Sequence, residues 1–413
     1  LADETEAGMA KNIVIFSDGT GQEGGTDHNT NVYKLFNMIE DRTSSQVSFY
    51  DRGLGTGWRK ATGNIGGRGF SKNVLQCYEF IFENYQAGDK IFLFGFSRGA
   101  ATVRSLTGFI HYFGILPKSR GKLIDEAWKI YKKPKTRKAN AKSFIKMNHT
   151  MWAAVDFLGV WDTVVALGIP NTALDRVLNF FVPHEFHSFK LSPSVLNAYH
   201  AMAIDDLRKT FHPVFFSPDL PDGGMKPTRD GKKRTLKQVW FMGMHTDVGG
   251  GYAADQASRE LGENAHKALS DIVLEWMMQN AVRHGLYIFR PEGSPTGECT
   301  PNPNGFMHDS RGSAWKKRIF PAKRRWWDKE KFGRAMVHQS VKERERSVHN
   351  EKPKEGVRTL YKPWILDEEH AHQLEPWTHL EDWKNDPEWR KNADEETVKA
   401  LQGWCVPKRP SMS

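Results

Sequence analysis

Cysteine is scarce: three residues, Cys77, Cys299 and Cys405, lie far apart along 413 positions. They cannot build a disulfide framework, and they show no zinc-type spacing. The chain therefore reads as one whose fold rests on its core, and the scarcity favours a reducing compartment. Long apolar runs are also missing. No stretch approaches the ~20 residues that cross a bilayer. The amino-terminal "LADETEAGMAKN" is acidic, without a basic segment leading into an apolar one, so the sequence reads without a signal peptide. The expected location is the cytoplasm, or export by a route needing no such signal. No internal repeat appears, and no G-x-x-x-x-G-K-[ST] loop that would cradle nucleotide phosphates. What remains is a composition of 39% hydrophobic and 26% charged residues, which is that of a globular chain.

The formal net charge of +10 is uneven. Basic residues crowd "KSRGKLIDEAWKIYKKPKTRKANAK" (118–142) and "WKKRIFPAKRRWWDKEKFGR" (315–334). The first reads as a solvated helix-and-loop face. The second interleaves Trp315, Trp326 and Trp327 with cations. That pattern suits either an interfacial contact with an anionic membrane or a surface loop whose tryptophans pack on the core. Charge alone would also suit nucleic acid, but no recognised nucleic-acid motif is present and none is expected as a partner.

Periodicity orders the first two-thirds of the chain. "KNIVIFSDGT" (11–20), ending in a turn, "QVSFYDRGLGTG" (46–57), running into glycines, and "KIFLFGF" (90–96) read as buried strands. Between them, residues 29–42 and 71–89 carry helical spacing, with Asn29 or Thr30 as N-cap of the first. Strand–helix alternation of this kind predicts a mostly parallel sheet with crossover helices. The pattern resumes at 151–164 and 237–252, with a helix near 266–284. The stretch "AYHAMAIDDLRKTFHP" (198–213) reads as a helix followed by a turn. Residues 11–290 are thus expected to form an α/β catalytic core. Residues 291–413 are expected to form a Trp-rich, basic, irregular extension or cap packed on it.

The chemistry concentrates at "GFSRG" (95–99), between the third strand and a run of small residues. G-x-S-x-G in that setting describes a nucleophile elbow, which lifts Ser97 into the crevice above the sheet. A serine hydroxyl needs a base, and the base needs an orienting acid. In chain order and at strand ends, the acid falls on Asp162 of "FLGVWDTV", with Asp156 a mid-strand alternative. The base falls on His245 of "VWFMGMHTDVGGGY", with His308 and His338 in reserve. Oxyanion donors are expected from the backbone of Arg98 and from Gly19 or Thr20 in "SDGTGQ". Asp247 is read as an organiser of its loop in preference to a metal ligand. A metal or phosphate role for Asp18 is set aside for want of a P-loop pattern or a second acidic residue nearby. Asp18, His200, Asp205, Asp247 and His338 are kept as residues that touch substrate or support the site. His200, Asp205, Asp206, Arg208 and His212 are read as a polar network bracing the site or touching substrate. No metal and no cofactor is called for by these residues.

In order, "FSDGTGQ…TNVYKL", "YDRGLGTG", "GFSRGAATVRSLTGFI", "FLGVWDTV", "AYHAMAIDD", "HTDVGGGY" and "VHQSV" resemble the α/β-hydrolase domain family that includes phospholipase effectors of bacterial type VI secretion systems. The resemblance spans most of residues 11–345. It implies an α/β-hydrolase fold and a triad falling on Ser97, Asp162 and His245. It also implies cleavage of acyl esters of phospholipids. The lysine-rich 118–142 stretch lengthens the gap between serine and aspartate, a departure that bears on the choice of acid. Two other readings use the same sequence. One is a non-catalytic module holding an anionic membrane or polymer. The other is an acyltransferase or thioesterase working through the same three residues.

Overall fold

Short, nearly continuous apolar runs set the architecture, because the strands they form must be covered on both faces. In the computed structural model the described residues are 10–19, 28–39, 41, 43–53, 65–164, 190–208, 211–220, 224–228, 231–254, 256–262, 264–288, 299–309, 326–346, 348–352, 357–366 and 372–377. The first half of the chain alternates β1 (Asn12–Ser17), α1 (Asn31–Met38), β2 (Gln46–Asp51), α2 (Ile65–Asn84), β3 (Lys90–Phe96) and α3 (Arg98–Phe113). Then follow α4 (Leu123–Tyr131), α5 (Pro134–Asn148), β4 (Val155–Trp161), β5 (Val195–Ala203) and β6 (Thr235–Phe241). Beyond β6 come α6 (His245–Gly249), α7 (Gln256–Leu261), α8 (Ala268–Arg283), α9 (Lys329–Phe332), β7 (Ala335–His338) and α10 (Gln339–Glu345). Strands β8 (Val348–Lys352), β9 (Val357–Leu360) and β10 (His372–Glu375) close the described part.

Eight of these strands make one sheet in the order β10-β7-β6-β5-β4-β3-β1-β2, and the pairs along it are parallel. Strands β8 and β9 form a separate antiparallel ribbon. This is the mostly parallel sheet with flanking helices that the alternation predicts, in keeping with the α/β-hydrolase fold that the family resemblance implies. The period of two divides β1 cleanly. Val14 and Phe16 belong to the core shared with α1 and α8, while Ile13 and Ile15 face α2, α3, α4 and α5. Thr30, one of the two predicted caps, accepts a hydrogen bond from the Tyr33 N–H.

Two readings of the sequence are corrected. The stretch from Val195 to Ala203 is not a helix but β5, buried between β4 and β6. Its alanines and methionine are good helix formers, yet a site with strands on both sides overrides that propensity. Past residue 290, where irregular sequence was expected, β7 and β10 add to the main sheet beside β6. Among the described residues no helix is long and apolar enough to cross a membrane.

Because β1 is flanked by β2 on one side and β3 on the other, the connections diverge there. Open parallel sheets bind ligands at the carboxyl ends of the strands, at such a switch point. Asp18 and Gly19 leave the end of β1, and Ser97 leaves the end of β3.

Candidate active site

The glycines around Ser97 are dictated by space. A Cβ on Gly95 would lie 2.6 Å from the Gly99 carbonyl oxygen, and one on Gly99 would lie 1.9 Å from that of Ser17. The turn from β3 into α3 is therefore packed backbone to backbone against the end of β1. Ser97 itself takes φ 57° and ψ −116°, a region that side chains avoid. Its N–H donates to the Trp161 carbonyl at 3.0 Å, and its own carbonyl accepts from Ala101 and Val164, both at 3.4 Å. Such a conformation costs about 1–3 kcal/mol and persists only where the surroundings fix it.

Asp162 follows β4 directly and is fully buried, with φ 35°. Its Oδ1 accepts the Ala203 N–H at 3.1 Å. Its Oδ2 lies 2.6 Å from His245 Nδ1. An ionised carboxylate only accepts, so Nδ1 is the donor in this contact. The His245 ring sits 4.6 Å from the ring of Phe96, the residue before Ser97, and 5.0 Å from that of Phe211. Contact with the neighbour of Ser97 and a bond to Asp162 bring His245 to the end of β3, although it comes from the far side of β6. Asp156 lies at the opposite end of the sheet, where its Oδ2 accepts the Ile91 N–H.

The loop after β1 differs from expectation at one atom. The Gly19 N–H, expected as an oxyanion donor, donates to Asp18 Oδ1 at 2.6 Å. Gly19 still lies against Ser97, since a Cβ on it would stand 3.6 Å from the serine Cβ. Thr20 lies outside the described residues. Arg98 opens α3, and burial lowers its guanidinium to about 10, so it stays charged. Further along the same helix, Arg104 is buried, donates to the Val214 and Phe215 carbonyls and lies 3.7 Å over the Phe216 ring.

Asp18 ties three elements together. Besides Gly19, it accepts from the hydroxyls of Thr30 at the cap of α1 and Tyr50 of β2. Burial raises its carboxyl from 3.8 to about 6, against those three hydrogen bonds, which lower it. Between the two values the folded chain holds a proton that the unfolded chain releases. This group's contribution to stability therefore falls as pH rises through about 4 to 6. Comparing the wild type with Asp18→Asn between about pH 4 and pH 8 isolates the effect. The thermal midpoint of the variant minus that of the wild type is expected to grow as pH rises from about 4 to 6 and to level off above that. A difference that stays flat or shrinks would contradict the assignment.

Of the remaining candidates, His200 accepts the Thr163 N–H on Nε2 and lies 3.3 Å from Gln238 Oε1 on its Nδ1 side. Burial, helped by the Arg104 charge, lowers it to about 3, so it is a neutral brace beneath the Asp162 turn. His338 caps α10 through Ser340 and stacks on Phe241, and burial lowers it to about 3. His308 is paired with Asp247, Nδ1 to Oδ1 at 2.6 Å. Asp205 accepts from the Gly243 N–H and the Tyr361 hydroxyl. Asp206 holds Arg208 and accepts the His245 N–H, and His212 stacks near Trp326. In the second basic stretch, Trp327 packs among Phe215, Trp240 and Phe332, while Trp326 is part exposed. Trp315 and the cations at 316–325 lie outside the described residues. Phe96, Arg104, Phe211 and Tyr361 are site-lining or supporting groups that carry no motif of their own in the sequence.

Comparison with known proteins adds the family. Residues 11–280 match the family model of the catalytic domain of type VI secretion system (T6SS) Tle1-like phospholipase effectors. An uncharacterized protein of Saccharomyces cerevisiae is 27% identical over an alignment of 241 residues that covers 52% of this chain and 34% of the yeast protein. The chain thus spans about a third of that curated relative. Among solved structures, an uncharacterized protein from Pseudomonas aeruginosa aligns at 15% identity with a TM-score of 0.40, over 75% of this chain and 51% of that one. The Tle1 effector bound to the VgrG spike of the type 6 secretion system aligns at 14% identity with a TM-score of 0.37, over 72% and 77% of the two chains.

Proposed function

Because the chain belongs to the family of type VI secretion system Tle1-like phospholipase effector catalytic domains, we propose that it is a serine hydrolase that cleaves acyl esters of lipids, phospholipids foremost. The observation that carries the reading is the buried His245–Asp162 pair set against Phe96, at the end of the strand that turns on Ser97. In this reading His245 Nε2 takes the Ser97 proton as the hydroxyl oxygen attacks the ester carbonyl. The imidazolium formed is stabilised by Asp162, and it returns the proton to the leaving alcohol. Water, activated by the same nitrogen, then cleaves the acyl-enzyme. The Arg98 backbone N–H, next to the nucleophile at the start of α3, is the oxyanion donor in this scheme. The second basic stretch, in the same reading, brings the enzyme to an anionic bilayer.

The test is a panel of acyl esters of increasing chain length together with phospholipid vesicles, zwitterionic and anionic, at two salt concentrations. The wild type is expected to hydrolyse esters, to prefer the lipid substrates, and to lose more activity on anionic vesicles as salt rises. A fluorophosphonate should label Ser97, as read by mass spectrometry of the modified peptide. Absence of both hydrolysis and labelling would favour a binding module. Salt-independent action on anionic vesicles would remove the membrane contact alone.

A further inference from the structure

The turn that carries His245 is held in an unusual way. Three successive backbone N–H groups each donate to a different carboxylate. Gly243 donates to Asp205 Oδ2 at 2.6 Å, Met244 to Asp247 Oδ2 at 2.9 Å, and His245 to Asp206 Oδ2 at 3.2 Å. The turn has no slack, because Gly243 sits at φ 101° and a Cβ there would lie 2.5 Å from that of Asp247. Each carboxylate is gripped by a side chain as well. Arg208 forks onto Asp206 through Nε and Nη2. The other two grips come from beyond residue 290. The Tyr361 hydroxyl donates to Asp205 Oδ2 at 2.7 Å, and His308 Nδ1 lies 2.6 Å from Asp247 Oδ1.

Both outer groups are seated firmly. The His308 ring stacks on Tyr252 at 3.7 Å and meets Phe306 edge-on, and its backbone N–H also donates to Asp247. Tyr361 is buried, and the Arg344 guanidinium lies 5.5 Å over its ring. Arg344 Nη1 donates in turn to the carbonyls of Pro303 and Gly305, which joins the segment bearing His308 to the one bearing Tyr361. Trp364 adds a bond from its indole N–H to the Ile204 carbonyl, next to Asp205.

We propose that His308 and Tyr361 are positioning residues, through which the segment beyond the core sheet sets the orientation of the His245 imidazole. The proposal rests on the reading of His245 as the base. Carboxylates suit the task because each can accept several donors at once and so link the backbone of the turn to a side chain from a distant segment. Reaction rates are sensitive to such support: a misplacement of ~1 Å far from the reacting atoms can cost about 100-fold.

The test compares Tyr361→Phe, His308→Leu and His308→Asn with the wild type on a soluble activated ester, well below each melting temperature. Tyr361→Phe removes one oxygen and keeps the ring. Asn at 308 keeps an N–H donor near the place of Nδ1, whereas Leu does not. Tyr361→Phe and His308→Leu are expected to lower kcat by about 10-fold or more with KM changed less than about 2-fold, and His308→Asn to recover most of it. In a His245→Ala background, Tyr361→Phe should lower the residual rate no further, because its action passes through the imidazole. Unchanged kcat in Tyr361→Phe would overturn the proposal, as would an equal loss with and without His245. Should His308→Leu fail to fold, the tyrosine variant and its cycle with His245 still decide. Full activity of His245→Ala itself would instead sink the triad reading on which the proposal stands.

Discussion

Replacing Ser97 by alanine is expected to abolish ester hydrolysis while leaving the thermal midpoint within roughly 2 °C of the wild type. The turn is fixed by the backbone of this residue: its N–H to Trp161, its carbonyl to Ala101 and Val164, and by the contact of Gly99 with β1. The side chain makes no capping bond to α3. Alanine therefore keeps the strained conformation at little change in stability, and only the hydroxyl proposed as the nucleophile is lost. In a subtilisin-type triad, loss of the serine costs on the order of 10⁶ in kcat, or about 8 kcal/mol of transition-state stabilisation. His245→Ala is expected to match it. The double variant should be scarcely slower than either single one, because the two act as one unit. Measured kcat values for the three variants on one soluble ester, with melting curves alongside, check this. Multiplicative losses, or a stable Ser97→Ala that still turns over, would be incompatible with the mechanism.

How much of this was legible follows from where the constraints lie along the chain. The sheet was legible because β1, β3 and β4 are buried over nearly their whole length, so their residues form apolar runs that no other element explains. Strand β5 was not. "AYHAMA" gains its strand character from lying between β4 and β6, and that neighbourhood is invisible in the local sequence. Strands β7 and β10 span four residues each, too few to show a period, and β10 sits at the sheet edge with Gln373 and Leu374 exposed.

The same reasoning divides the site. Ser97 announces itself through the glycines that its turn requires. Asp162 and His245 stand 83 residues apart, yet each follows a strand, and their order after the serine points to them. Gly19 shows the limit of that approach. Its place beside Ser97 follows from the end of β1, but the direction of its N–H depends on a carboxylate one residue away. Tyr361 and His308 reach partners 156 and 61 residues distant, from a segment with no periodic pattern. Only the folded chain brings them onto the histidine turn.

Asp162→Asn is expected to lower kcat by about 10⁴, the loss seen when the buried acid of a trypsin-type triad is made an amide. Asp156→Asn is expected to cost a few-fold at most. The larger effect follows from the two oxygens of Asp162. Oδ1 accepts the Ala203 N–H, and an asparagine can satisfy that bond only with its carbonyl oxygen. Its NH₂ group must then face His245 Nδ1, where Oδ2 stood at 2.6 Å. Two donors cannot share that contact, so the imidazole shifts its proton to Nε2, the nitrogen that accepts from the serine in the proposed mechanism. The fold should survive the change, since shape and the Ala203 bond are kept. The loss should fall on kcat more than on KM, because the acid touches no substrate. Asp156, by contrast, holds the Ile91 N–H at the amino-terminal end of β4, with the length of the strand between it and Ser97. Steady-state kinetics of the two variants on one soluble ester separate them. Equal effects, or a larger one at Asp156, would move the orienting acid away from Asp162.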